Sequence, residues 1–378
     1  MRTTLWRHDV PLLHAHRGRT SHPGQLSPPS EHPPGTSQRH GLGLAVLVLA
    51  LLLGGVPPAL AAPETDPRLL DLGVPVAGLT PGDELFVRLQ IRPVRRGENR
   101  FTVLVARADR SPLPEPVPRV RLGFVALEQD APMEVVETQL DGVGGNTTTG
   151  TQLGHDGWWR IEATIHRAGQ PDVVASFYLL LPDPNRDGTE AVPVPASSPE
   201  AVAVYERGRA AFTSLHRMRS QEVMSDGLGN GLVSEHAVSD GTDGRPPSRS
   251  VTTARSALIQ IGEREWLRMR DQPWIERTSK PINPPSEWDH EWVGATGFRL
   301  GRVEEVRGEP SRIVTFFVPE APGLAAAWYA FWIGEETGRL HRTAMVSRSH
   351  YMVDDYSDFD APLLIEPPIG EDAGTPPA

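Results

Sequence analysis

Apolar and polar residues alternate through residues 82–182 with the two-residue period of half-buried strands. Leu85, Val87, Leu89 and Ile91 alternate with Arg88, Gln90 and Arg92. Gly97-Glu98-Asn99 supplies a turn, and Phe101 to Ala108 reads as the neighbouring strand. Val120, Leu122 and Phe124 alternate with Arg121 and Gly123, and Met133 to Leu140 is a further extended run. Trp159, Ile161, Ala163 and Ile165 alternate with Arg160, Glu162, Thr164 and His166, and Val173 to Leu181 closes the set. Asn146-Thr147-Thr148 reads as a loop. Short strands separated by turn signals, with no helical period between them, predict an antiparallel immunoglobulin-like β-sandwich.

Residues 183–199 are a linker by composition, rich in proline and without an apolar period. From Glu200 the period changes. Ala201, Val204, Tyr205, Phe212 and Leu215 share one face of a helix. Strand patterns then return at 219–224, 231–238, 250–261, 265–270, 274–277, 298–307, 311–318, 327–333, 340–347 and 352–359. A long helix followed by a strand meander predicts an α+β domain over residues 200–368, a curved half-barrel sheet with a helical lid on its concave face. The chain is thus expected to be mainly β, with a disordered tail at 369–378.

The N-terminal region has a different pattern. Residues 1–40 are rich in Pro, His, Ser and Arg and cannot build a core. The apolar run Leu42–Leu53 would span about 18 Å as a helix, against about 30 Å for a hydrocarbon core. Pro57, Pro58 and Ala59-Leu60-Ala61 follow, the pattern of an export signal cut after Ala61. Residues 1–61 are therefore expected to be n-region and signal peptide, with a true translation start downstream of Met1. The alternative is an uncleaved signal anchor over residues 41–56, which the proline pair disfavours. Either way the chain is read as extracytoplasmic, in the periplasm or cell envelope.

Charge and composition narrow the partners. Residues 1–61 carry a net charge of +3, so the remainder carries −14 of the overall −11. Without a dense basic run, such a chain is a poor partner for nucleic acid or anionic headgroups. It has no cysteine, which excludes disulfides, thiolate metal sites and a lipid-acceptor cysteine after the signal.

Two family resemblances bear on function. Gly97-x-Asn99-x-Phe101-x-Val103, Gly157-Trp158-Trp159-Arg160 and the exit from Arg167 to Phe177 resemble the YtkA-like sandwich family, related to FixH-type domains. That resemblance covers Pro93 to Pro184 and implies a copper-resistance membrane partner of the CopC/CopD type. Residues 200–368 resemble the lipoprotein-carrier superfamily (LolA-like and LppX/LprG). The carrying features are Ser214-Leu215, Ile261-Gly262-x-x-x-Trp266, Phe331-Trp332-Ile333-Gly334 before Gly338, the run from Met345 to Asp360, and Ile365 to Pro368. The resemblance implies a half-barrel around an apolar cavity that takes a hydrophobic or lipid-like ligand. Lipid-anchored members need a cysteine where this chain has Ala62.

Candidate chemistry is sparse. Copper would want Met, Cys or imidazole ligands. Met218, Met224, Met269, Met345 and Met352 stand scattered, and no His-x-His or His-x3-His pair occurs after residue 61. Each later histidine is read as a surface or internally satisfied group. Only His155 and His166, approaching across the sandwich, offer a metal pair. Asp354, Asp355, Asp358 and Asp360 have Ca²⁺ chemistry, but Tyr356 and Phe359 interrupt the ligand spacing, so they read as solvent-facing. Asp289-His290-Glu291 has acid–base residue types without a second partner. No nucleophile elbow, zinc helix or phosphate loop is present. Aromatic residues concentrate in the second half, where Trp266, Trp332 and Phe316 are expected to line the cavity wall. The reading is a non-enzymatic envelope binding protein for a hydrophobic ligand or membrane partner, without a resident cofactor. Its alternative is a copper-binding accessory protein acting through the sandwich. The export signal makes a direct prediction: N-terminal sequencing of the exported chain should begin at Ala62, and a product retaining residues 41–56 contradicts cleavage.

Overall fold

A computed structural model describes residues 68–76, 84–115, 117–141, 144–185, 192–242, 244–270, 272–283, 292–368 and 373–374. The export segment and Asp289-His290-Glu291 lie outside the described residues. The first part is a two-sheet sandwich. One sheet has the order β1-β2-β3-β7-β6, built from Leu70–Val76 (β1), Leu85–Arg92 (β2), Asn99–Arg107 (β3), Asn146–Gly150 (β7) and Gln139–Leu140 (β6). The other has the order β5-β4-β8-β9, from Glu134–Glu137 (β5), Arg119–Ala126 (β4), Gly157–His166 (β8) and Val173–Leu181 (β9). Every pairing within the two sheets is antiparallel. Inward residues such as Leu89, Phe101, Phe124, Ile161 and Phe177 are almost fully buried. Phe101 and Phe124 meet edge-on at 4.9 Å between the sheets.

Two strands depart from the sequence expectation. Leu70–Val76 carries Gly73 and Pro75, which disguise its alternation, yet it pairs with β2 from Leu70↔Ile91 to Val76↔Leu85. Its edge position accommodates a proline that cannot donate to a ladder. Asn146-Thr147-Thr148, expected as a loop, is the start of β7. Its buried Asn146 donates from Nδ2 to the Val117 carbonyl at 3.3 Å, and Thr102 and Thr147 hydroxyls meet at 3.2 Å. Threonine-rich polar strands carry no hydrophobic alternation, so pattern alone misses them.

The second part is one helix against one large sheet. The helix, Pro199–Thr213 (α1), starts at Ser198, whose hydroxyl accepts from the Ala201 amide, with a proline at its first position. It buries Ala201, Tyr205 and Phe212, while Val204 is half-buried. At Gly208 an added Cβ would meet Ile333 side-chain atoms at 2.6 Å, so glycine permits the helix to lie close on the sheet.

The first wing of the sheet comprises Arg217–Ser225 (β10), Gly231–Ser239 (β11), Ser248–Thr253 (β12), Ser256–Ile261 (β13), Arg264–Met269 (β14) and Trp274–Thr278 (β15). The second comprises Thr296–Val306 (β16), Glu309–Val318 (β17), Ala327–Gly334 (β18), Leu340–Ser347 (β19) and His350–Ser357 (β20). The expected strand at 250–261 is a hairpin, folding back between Thr253 and Ser256. The wings join where the last long strand pairs with the first, Arg219↔Ser357 to Ser225↔Tyr351. Ala373–Gly374 (β21), within the tail, adds parallel to β15. The chain is mainly β, with open curved sheets and a helix, as the pattern implied.

The sandwich and the large sheet share a core. Val306, Ile313, Trp328, Ala330, Trp332, Ala344, Val346 and Tyr351 of the sheet belong to the same buried cluster as the sandwich interior. Polar contacts cross the seam. Arg160 donates to Glu304 at 2.5 Å, Thr315 to Glu128 at 2.6 Å, Arg302 to the Ala131 carbonyl at 2.7 Å and Tyr351 to Asp183 at 2.7 Å. Asn185 donates from Nδ2 to the Ser347 carbonyl at 2.8 Å, so the start of the proline-rich segment is docked onto the sheet. Trp332 is fully buried at this seam. Trp332→Ala is therefore expected to cost about 3–5 kcal/mol, and urea unfolding should show both parts lost in one transition, read by circular dichroism and tryptophan fluorescence together.

Candidate ligand-binding site

Strand alternation gives the large sheet two chemically distinct faces. On β18, Tyr329, Phe331 and Ile333 join the helix-side cluster, while Trp328, Ala330 and Trp332 join the sandwich-side cluster. The helix side over β16–β19 is filled with rings. Tyr205 lies 4.6 Å from Phe298 and 5.0 Å from Phe316, Trp292 lies 4.9 Å from Phe331, and Phe316 stacks on Tyr329 at 5.2 Å. Ring pairs at such separations are mutually attractive beyond their buried area. The roomy apolar interior expected here is, among the described residues, occupied by the protein's own side chains.

A pocket of about 240 Å³ lies instead at the seam, between β1 and β9 of the sandwich and β10, β19 and β20 of the sheet. Leu72, Val74, Val76 and Val174 line its sandwich side, and Val223 and Val353 its sheet side. Gln221, Tyr178, Arg342 and Asp355 add polar groups. The alternation that sends Tyr329 and Phe331 toward the helix sends these sheet residues the other way.

Arg342 organises the polar part. Its Nε donates to Asp355 at 2.6 Å and its Nη1 to the Tyr178 hydroxyl at 2.8 Å. The guanidinium lies 5.9 Å from the Tyr178 ring centre and 5.8 Å from that of Trp332, and those two rings meet edge-on at 5.5 Å. Burial opposes the Arg342 charge, but Tyr178, Asp355 and Glu304 outweigh it and hold the group above its ordinary pKa. Tyr178 is pushed up chiefly by burial, so its hydroxyl stays protonated at neutral pH. The result is a cleft lined by apolar and polar groups alike, with a fixed cation among them, a geometry that orients an amphiphile.

The sequence-predicted residues scatter across this framework. Phe316 is in the helix-side ring cluster. Trp332 is on the opposite face, its Nε1 donating to Glu304 at 2.9 Å, and so cannot line the same space. Trp266 is buried on β14 under the Arg264 guanidinium, 4.7 Å from its ring centre, on the other wing of the sheet. Adjacent aromatic letters in a strand point to opposite faces, which a list of tryptophans does not reveal.

His155 and His166 do not approach one another. His155 precedes β8 and His166 is its last residue, so nearly the whole strand, about 30 Å long, separates them. His155 stacks on Trp159 at 4.4 Å, while His166 pairs with Asp172 at 2.8 Å and meets Arg119 at 3.3 Å. The acidic run also disperses. Asp355 binds Arg342, Asp358 pairs with Arg219, and Asp360 accepts from the backbone amides of His216 and Arg217. Among the described residues no group of three His, Asp or Glu side chains has metal-holding geometry.

Glu222 and Glu309 are paired within the protein. Burial raises Glu222, but hydrogen bonds from His236 and Ser234 and the His236 charge bring it below its ordinary pKa. Glu309 accepts from the Glu336 and Thr337 amides and meets His341 at 2.8 Å, fixing the β18–β19 hairpin. Sequence reasoning passed over Arg342 and Tyr178, and read Asp355 as one of a solvent-facing acidic run. Each had a signal, a polar residue at an inward position of an otherwise apolar strand, but no partner nearby in sequence.

No family model matches the chain, and no curated protein matches it. Solved structures with similarity include the lipoprotein LppX of Mycobacterium tuberculosis, at 16% identity and TM-score 0.35, covering 45% of this chain and 100% of that one. LprF of Mycobacterium bovis is similar at 14% identity and TM-score 0.36, covering 46% and 100%. A LolA superfamily protein from Nitrosomonas europaea is similar at 11% identity and TM-score 0.21, covering 43% and 94%.

The seam geometry sets an expected outcome. Arg342→Leu leaves Asp355 without its cation in a half-buried setting and should cost about 3 kcal/mol, measured as a lower urea midpoint at pH 7 than the wild type.

Proposed function

We propose that this chain is a non-enzymatic binding protein of the cell envelope that takes a small hydrophobic or lipid-like ligand at the seam between sandwich and curved sheet. The observation that carries the reading is the seam cleft, in which an apolar strip of Leu72, Val74, Val76, Val223 and Val353 lies beside the fixed Arg342. At about 240 Å³ it falls just under the roughly 300–1,000 Å³ usual for small-molecule sites. That volume suits one acyl or aromatic segment, with the ligand's remainder in solvent. Burial of apolar area supplies affinity at about 25 cal/mol per Å², and the guanidinium favours an anionic or carbonyl-bearing end. The export pattern at Leu42–Leu53 and Ala59-Leu60-Ala61 supports an envelope location. The separation of His155 from His166 leaves the sandwich without a copper pair, and nothing on the described surface favours the copper-resistance partner.

The test uses the half-exposed Val174, whose side chain can be enlarged without entering the core. The mature chain should bind an anionic apolar fluorophore such as anilinonaphthalene sulfonate with saturation, and Val174→Trp should weaken that binding about tenfold, the equivalent of roughly 1.4 kcal/mol. Equal binding by wild type and variant, both folded by circular dichroism, rejects the cleft as the site.

A further inference from the structure

Methionines that stand far apart in the chain become neighbours on the large sheet. Met224 of β10 is the register partner of Met352 of β20, and Met352 is in turn the partner of Met345 of β19. Directly opposed residues on antiparallel neighbours project from one face, with Cβ atoms about 4.5–5.5 Å apart. Three thioethers therefore form one cross-strand row. That row lies on the helix side, since Met345 packs against the ring cluster there, and it continues the row of Phe316 and Tyr329. Met224 is buried, whereas Met345 and Met352 are only half-buried.

His350 stands two residues before Met352 on β20, so its imidazole leaves the same face. Glu222 interacts with it electrostatically from β10, consistent with that placement. The His350 Nε2 atom is buried and has no hydrogen-bond partner among the described residues. A buried polar atom without a partner calls for a physical account. Nearby Glu222 is already engaged by Ser234 at 2.8 Å and His236 at 3.2 Å.

We propose that Met224, Met345, Met352 and His350 form a binding site for a soft monovalent cation, Cu(I) or Ag(I). Thioether sulfur and neutral imidazole match a soft ion, whereas Ca²⁺ and Mg²⁺ require oxygen ligands. Zn²⁺ is held by thiolate, imidazole or carboxylate, and the row supplies a single imidazole with no thiolate or free carboxylate. A purely apolar role for the methionines would leave the His350 nitrogen unexplained. Met224 and Met352 also border the seam cleft, so the ion site adjoins it, and the two are told apart by probe, a soft metal ion here and an apolar fluorophore there.

The test is an anaerobic titration of the full mature chain with Cu(I) against a chromogenic bicinchoninate competitor, repeated with Ag(I). The wild type should withhold one equivalent of the ion. Met345→Leu, Met352→Leu and His350→Gln should each weaken retention about tenfold or more, while Met133→Leu, at an exposed position on the sandwich, leaves it unchanged. Methionine-to-leucine exchanges conserve volume and should preserve the fold, which melting curves check. In the wild type labelled with ¹³C at the methionine methyls, Ag(I) should shift three resonances, those of Met224, Met345 and Met352. Failure of the wild type to retain either ion, undiminished retention by the triple leucine variant, or tighter hold on Zn²⁺ than on Cu(I) overturns the proposal.

Discussion

Strand β18 is buried along its whole length and on both faces, and the arrangement of the molecule depends on that double burial. Its odd-numbered side chains, Tyr329, Phe331 and Ile333, meet the helix. Its even-numbered ones, Trp328, Ala330 and Trp332, meet the sandwich. A strand with two dry faces needs a layer on each, so neither neighbouring layer can be removed without exposing large rings to water. The sandwich is thus one of the walls of a three-layer core, and its attachment is not left to the proline-rich segment.

The same constraint explains where an open pocket arises. On the helix side the layers meet through rings that fill the space between them. On the sandwich side β1 and β9 face the large sheet across the seam. Over β10, β19 and β20 the two leave a cleft lined by both apolar and polar groups. Arg342, Tyr178 and Asp355 satisfy one another in its lining, which is how a cation can be kept in a largely buried seam. The packing that holds the two parts together therefore also shapes the proposed ligand site.

The absence of cysteine in the sequence gives the methionine row its chemical interest. Thioethers are the only soft sulfur ligands this chain has, and unlike thiolates they need no deprotonation to coordinate. Three of them meet where β10, β19 and β20 pair, the place where the first and last long strands of the sheet close on each other. The closure of the fold and the gathering of these side chains are one event.

The sequence by itself determined the succession of elements. Two-residue alternation fixed most strands of the sandwich and the sheet, a 3.6-residue period fixed the helix near Ala201–Phe212, and the absence of cysteine excluded thiolate chemistry. Where polarity masked the period, as in Asn146–Gly150, or where glycine and proline broke it, as in Leu70–Val76, the pattern was unreadable. Only the tertiary structure decided what each face meets. Trp332 and Phe331 are adjacent aromatic letters, yet one faces the sandwich and the other the helix. His155 and His166 looked close in the chain and stand at opposite ends of a strand, while Met224 and Met352 looked remote and are side by side. The physical reason is register. A strand's own sequence sets its alternation, but which residue lies opposite comes from pairing between segments far apart in the chain.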